Sequence, residues 1–101
     1  MKVFVQSVNF NADKELVKFV EERVNTLEKF HDKIINAEVF LKVQKTSEKE
    51  NKIAEIKIGI PGDDLMVKKQ AKHLEEAVNM AIETLKRQLK KNKEKITKIN
   101  I

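Results

Sequence analysis

Among the 2 histidines and 16 carboxylates that could transfer protons or bind metal, His31, His73 and the acid pairs Glu21-Glu22 and Glu75-Glu76 are the candidates to weigh. Their spacing supports neither chemistry. His31-Asp32 falls at an expected helix end, where adjacent residues do not face one another, and both histidines read as surface polar residues. The acid pairs read as solvated helix positions. Ser7 and Ser47, the only serines, have no nucleophile setting. Gly59 and Gly62 belong to a strand and a turn rather than to a phosphate loop. No group of residues has metal-ligand spacing. The absence of Cys removes thiol nucleophiles, disulfides and cysteine zinc sites. The expectation is a protein that is not an enzyme, with no cofactor, no metal and no small-molecule substrate.

One cluster does carry a chemistry, and it is binding. Between residues 86 and 98, Lys86, Arg87, Lys90, Lys91, Lys93, Lys95 and Lys98 stand against Glu94 alone, a local charge of +6 within a net charge of +5. The rest of the chain, with 14 basic and 15 acidic residues, sums to −1. A near-neutral body with one basic end fits a polyanion partner, nucleic acid being the usual one. It equally fits a solvated helix end whose cations complement the C-terminal dipole. With no Trp or Tyr, and five Phe that must also serve a core, a base-stacking platform is not expected.

These residues need elements to position them, and 101 residues suffice for one domain with a single core. Alternation predicts a strand over 2–9, with Val3 and Val5 on one face and Lys2, Phe4 and Gln6 on the other. Asn11 or Asp13 caps a helix over 13–30, where Leu16, Val20, Val24, Leu27 and Phe30 recur at helical spacing. Strands are expected over 37–45, 53–60 and 65–71, with a polar hairpin loop at 46–51 and a type II turn at Pro61-Gly62. From about His73 the period is helical again. The apolar residues of this second helix fall within about 140° of arc, leaving the cations on its flanks and back. The order is βαβββα, an α+β fold, with residues 1–96 forming the domain and 97–101 a frayed tail. The expected core joins Val3, Val5, Leu16, Val20, Leu27, Val39, Leu41, Val43, Ile56, Ile58, Val78, Ile82, Leu85 and Leu89.

Arg23 interrupts the apolar stripe of the first helix. It reads either as an arginine laying its methylenes on the core edge and reaching for water, or as a cation held at the seam between the helices to grip a phosphate; geometry alone favours the first. The outer sheet face, with Phe4, Phe40, Lys42, Gln44 and Lys57, is mixed. No apolar run approaches the roughly 20 residues of a membrane helix, and the first ten residues lack a signal-peptide core. A soluble, cytoplasmic protein is expected.

Three stretches then resemble the ribosome hibernation-promoting factors, also called ribosome-associated translation inhibitors. They are Val8–Ile34, containing Leu27-Glu28-Lys29-Phe30 and Asp32-Lys33-Ile34; Val39–Lys45; and, most specific, Thr84–Ile96, with Leu85, Arg87-Gln88-Leu89 and spaced lysines. The resemblance spans residues 2–96. It implies a four-stranded sheet with two helices packed on one face, similar to a double-stranded-RNA-binding domain. It also implies a bacterial stress factor that occupies the small ribosomal subunit near the decoding centre, excludes tRNA and mRNA, and inhibits translation when growth stops. The expected RNA-binding residues are Arg23, Lys29, Lys33, Lys86, Arg87, Lys90, Lys91, Lys93 and Lys95. A basic residue at position 23 of the family raises the phosphate reading of Arg23 above the first one.

The likeness departs at His73, Glu75 and Asn79, where many members carry an acid, an aromatic and a further acid. The chain ends at Ile101 without the long form's dimerising domain, so the short form is expected, as a monomer on the ribosome. A general double-stranded-RNA module acting off the ribosome, and a protein-interaction module using the outer sheet face, are the alternatives.

Overall fold

The computed structural model describes the backbone of residues 1–44 and 51–99, and the side chains of residues 1–44 and 51–93. The loop expected over 46–51 lies outside them apart from Asn51. Four strands, β1 (Lys2–Val8), β2 (Asn36–Val43), β3 (Lys52–Ile60) and β4 (Asp63–Ala71), form one sheet in that order. β1 pairs with β2 in parallel, and the remaining pairs are antiparallel. A parallel pair needs a crossover, and here it is α1 (Lys14–Asn25) with the 3-10 turn Thr26–Lys29. The second helix, α2 (Leu74–Ile99), follows β4. The residues expected as a tail, 97–101, thus begin within α2 and end outside the described part.

Register builds the core in rows. Val5, Val39, Ile56 and Val67 line up across the four strands, as do Val3, Ala37, Ile58 and Leu65. Both helices cover this face, and Val20, Val24, Leu27, Val78, Ile82, Leu85 and Leu89 pack with the strand residues into one buried cluster. Of the expected core, Val3, Val5 and Leu16 are only partly buried against it, and Val43 is half-buried. Four alanines, Ala37, Ala54, Ala77 and Ala81, are fully buried; their small side chains allow sheet and helix to approach closely. Ile53 is buried as well, but on the opposite sheet face, in register with Lys42 and Gln70.

Local chemistry sets the boundaries. Asp13, rather than Asn11, caps α1: its Oδ1 accepts from the Leu16 N–H at 2.7 Å. The single helix expected over 13–30 is divided. The Thr26 N–H turns to the Arg23 and Val24 carbonyls, the Thr26 hydroxyl also donates to Arg23, and this tightening starts the 3-10 turn. At the β3–β4 hairpin, Ile60 pairs with Asp63, so β4 begins two residues before the expected Leu65. Pro61 excludes the turn types that need positive φ at the first central position, and Gly62 at φ 80° supplies the type II geometry. Gly59 is opposite Asn36, and a Cβ there would meet the Asn36 Oδ1 at 2.6 Å.

His31 corrects the expectation of a surface residue, being only 2% exposed. Its Nδ1 accepts the Lys33 N–H at 3.1 Å, which leaves the ring proton on Nε2 to be donated to Asn92 Oδ1 of α2 at 3.0 Å. The partner is distant in sequence, so inspection of the helix end alone misses it. His73 is exposed as expected. No helix among the described residues is long and apolar enough to cross a membrane.

Two stability measurements follow from this packing. Leu85→Ala, at a fully buried position, is expected to cost about 2–5 kcal/mol in denaturant unfolding; a loss under about half a kilocalorie would show that α2 does not pack as described. Asn92→Ala leaves the buried His31 Nε2–H without its acceptor and is expected to cost about 1–3 kcal/mol, whereas Lys91→Ala, on the exposed side, should stay within about 0.5 kcal/mol.

Candidate nucleic-acid interface

Three ties join the α1 side of the molecule to α2. Arg23 Nε donates to Asn79 Oδ1 at 2.9 Å. Lys86 and Lys90 place their ammonium groups 4.7 and 5.0 Å from the centroid of the Phe30 ring. The His31–Asn92 bond completes the series. Residue numbers rise together on both sides, so α1 and its 3-10 turn run alongside α2 in the same direction. The basic residues of the first helical segment therefore accompany those of the second along one seam.

Arg23 is half-buried in that seam. Its Nε bond to a neutral amide orients the guanidinium without cancelling its charge, and the two terminal amino groups keep their donors. Lys29 ends the 3-10 turn and Lys33 follows the buried His31; both are exposed. On α2, a 100° step per residue sets Lys86, Lys90 and Lys93 on the seam side and turns Arg87 and Lys91 to the other flank. Arg87 there borders a groove of about 710 Å³ lined also by Glu75, Glu76, Met80, Glu83, Thr84 and Lys69 of β4, and it makes a long 3.5 Å contact with the Thr84 hydroxyl. The Lys95 side chain lies outside the described residues. The expected site thus resolves into a seam group (Arg23, Lys86, Lys90 and Lys93, flanked by Lys29 and Lys33) and an outer pair (Arg87 and Lys91).

Charge compensation separates this surface from the opposite one. On the outer sheet face Glu55 receives Lys42 at 3.1 Å and Lys68 at 3.7 Å, and Lys57 lies 3.6 Å from Asp64. Those lysines have carboxylates in place. Among the described residues no ion pair joins Arg23, Lys29, Lys33, Lys86, Arg87, Lys90 or Lys91 to a carboxylate. Glu75 and Glu76 in the first turn and then Glu83 precede the cations of α2, and Glu94 alone stands among them. Along the helical seam, Arg23, Lys86 and Lys90 present positive charge with no carboxylate partner among the described residues, a surface chemically suited to a polyanion.

Sequence reasoning did not mark Phe30, Asn79 or Asn92 as positioning residues. Phe30 sits in an apolar stripe, and only the register between the helices brings it under two lysines. Asn79 and Asn92 are polar positions on a largely charged helix, and nothing local announces their partners.

Comparison with known proteins agrees with this architecture. The family model described as Sigma 54 modulation protein / S30EA ribosomal protein matches residues 3–97. A Pseudomonas putida protein named ribosome hibernation promoting factor is 30% identical over 95 residues, covering 94% of this chain and 89% of that protein. A Deinococcus radiodurans ribosome hibernation promotion factor is 27% identical over 92 residues, covering 89% of this chain and 48% of its own length. Among solved structures, the Thermus thermophilus Protein Y N-terminal domain superposes with a TM-score of 0.76 at 22% identity, over 90% of this chain and 98% of that one. A ribosomal subunit interface protein from Coxiella burnetii gives 0.79 at 18% identity, over 93% and 99%. With the βαβββα order, the four-stranded sheet and a family match over nearly its whole length, the chain belongs to the Sigma 54 modulation protein / S30EA ribosomal protein family.

Proposed function

We propose that this chain is a non-catalytic factor that binds the small ribosomal subunit through rRNA phosphates near the decoding centre. There it excludes tRNA and mRNA and so holds ribosomes inactive in the bacterial cytoplasm. The observation that carries the reading is the run of cations along the α1–α2 seam, where Arg23, Lys86 and Lys90 have no carboxylate partner among the described residues. Structured RNA is recognised largely through its shape and backbone, and cations mounted on rigid helices meet that requirement without any base-reading element. Family membership and the hibernation-factor name of the Pseudomonas putida relative support the ribosome as the source of that RNA. In this reading Arg23, Lys29, Lys33, Lys86, Arg87, Lys90, Lys91, Lys93 and Lys95 contact phosphates, and each contact releases counterions.

Sedimentation with purified small subunits tests the partner: the protein should travel with them, and comparable affinity for random RNA duplexes would instead favour a general RNA module. Salt dependence tests the surface. Replacing Lys33, Arg87 and Lys91 together with Gln should lower the log–log salt slope by about two units, at roughly 0.7–0.9 per phosphate contact. The same change at Lys2, Lys57 and Lys68 on the outer sheet face removes equal charge and should leave the slope nearly unchanged. An equal loss from both triple variants would mean that only bulk charge matters.

A further inference from the structure

Building on the RNA-binding reading above, we propose that the Phe30 ring gathers Lys86 and Lys90 into a single phosphate site, so that the two lysines grip one RNA phosphate between them. Like charges four residues apart on a helix repel, and exposed lysines in that relation normally spread. Here the two ammonium groups lie over one ring, 4.7 and 5.0 Å from its centroid, each drawn to the negative potential of the aromatic system. Neither has a carboxylate partner among the described residues. The arrangement therefore places two positive charges against one ring with no carboxylate beside them among the described residues. Each ammonium carries three donors; with the ring engaging one side of each group, donors remain for the two non-bridging oxygens of a backbone phosphate.

The ring is held in place from both sides. It follows the 3-10 turn whose Leu27 is fully buried, and it precedes His31, which is buried and bonded to both Asn92 and the Lys33 N–H. Phe30 itself is half-buried, Lys86 half-buried and Lys90 exposed, so the site is open to a ligand as large as an RNA backbone. Arg87 and Lys91 provide a comparison within the same helix. They have the same four-residue spacing, on the other flank, with no ring beneath them among the described residues. That pair should contact phosphates independently. Phe30 is thus a positioning residue: it touches the lysines, not the phosphate.

The test measures binding across a salt series to purified small ribosomal subunits and, separately, to a random-sequence RNA duplex of about 16 base pairs. The double variant Lys86→Gln with Lys90→Gln should lower the slope by about 0.7–0.9, the value for one phosphate, and Arg87→Gln with Lys91→Gln by about twice that. Phe30→Leu should weaken binding by the wild-type chain by about two- to fivefold, the usual worth of an exposed cation–π contact, and have no effect once both lysines are Gln. Phe30→Tyr, which keeps the ring, should bind as the wild type does, and this variant decides the matter if Phe30→Leu lowers the melting midpoint. The proposal is overturned if the lysine pair costs the slope of two phosphates, if Phe30→Leu weakens binding equally in both backgrounds, or if Phe30→Tyr binds as weakly as Phe30→Leu. A wild-type chain that binds the duplex but not the small subunit would overturn the ribosomal reading alone, and the two-lysine site would then be judged on the duplex.

Discussion

The docking of α2 on the sheet is the constraint from which the remaining surface follows. Leu74, Ala77, Val78, Ala81, Ile82, Leu85 and Leu89 are all buried, and each large aliphatic among them contributes about 1.5–3 kcal/mol through removal from water. Once that stripe is committed to the core, the helical period leaves no freedom for the intervening residues. Lys86 and Lys90 must face the α1 seam, and Arg87 and Lys91 must face away from it. The apolar positions thereby determine the placement of the charged ones, even though none of these buried α2 side chains reaches the charged surface.

The polar ties along the seam act on a different scale. A cation–π contact at an exposed site is worth about 0.5–1 kcal/mol, and a neutral hydrogen bond about 0.5–1.5 kcal/mol net. Neither competes with the apolar stripe in holding α2 to the sheet. What the Arg23–Asn79 bond and the Phe30 contacts do is reduce the conformational freedom of long cationic side chains before any ligand arrives. A free lysine or arginine gives up as much as about 1.5–2 kcal/mol of rotamer entropy when immobilised, so orienting these groups in advance lowers the cost of binding. His31 and Asn92 belong to the same design, because they fix the backbone on which Phe30 stands.

Most of the fold was legible because both of its periods are clean. Val39 and Leu41 alternate with Glu38, Phe40 and Lys42, and the α2 stripe repeats at helical spacing, so strand faces and helix face could be assigned without long-range information. The Pro61-Gly62 turn was legible for the same reason, since its two residues allow few backbone conformations. What escaped depends on pairs far apart in the chain. The division of the first helix at Thr26 comes from a side-chain and backbone preference at a single residue. The burial of His31 depends on Asn92, 61 residues away, and the burial of Ile53 on the outer face breaks the alternation that assigned its neighbours. The basic residues were legible as a group from local charge; their division into a seam group and an outer pair needed the helix–helix register.

The two faces of the molecule treat charge in opposite ways, and the difference bears on what each can bind. On the outer sheet face Glu55 sits between Lys42 and Lys68, so one carboxylate offsets part of the charge of two lysines. A polyanion approaching there would compete with Glu55 and Asp64 for Lys42, Lys68 and Lys57, and the two carboxylates would also repel it. On the seam Arg23, Lys86 and Lys90 have no carboxylate to be displaced among the described residues, so in the proposed complex each phosphate would add its full share of counterion release. With a near-neutral body and a formal charge of +5 overall, the placement of carboxylates, rather than the total charge, sets the helical seam apart from the sheet as a surface for a polyanion.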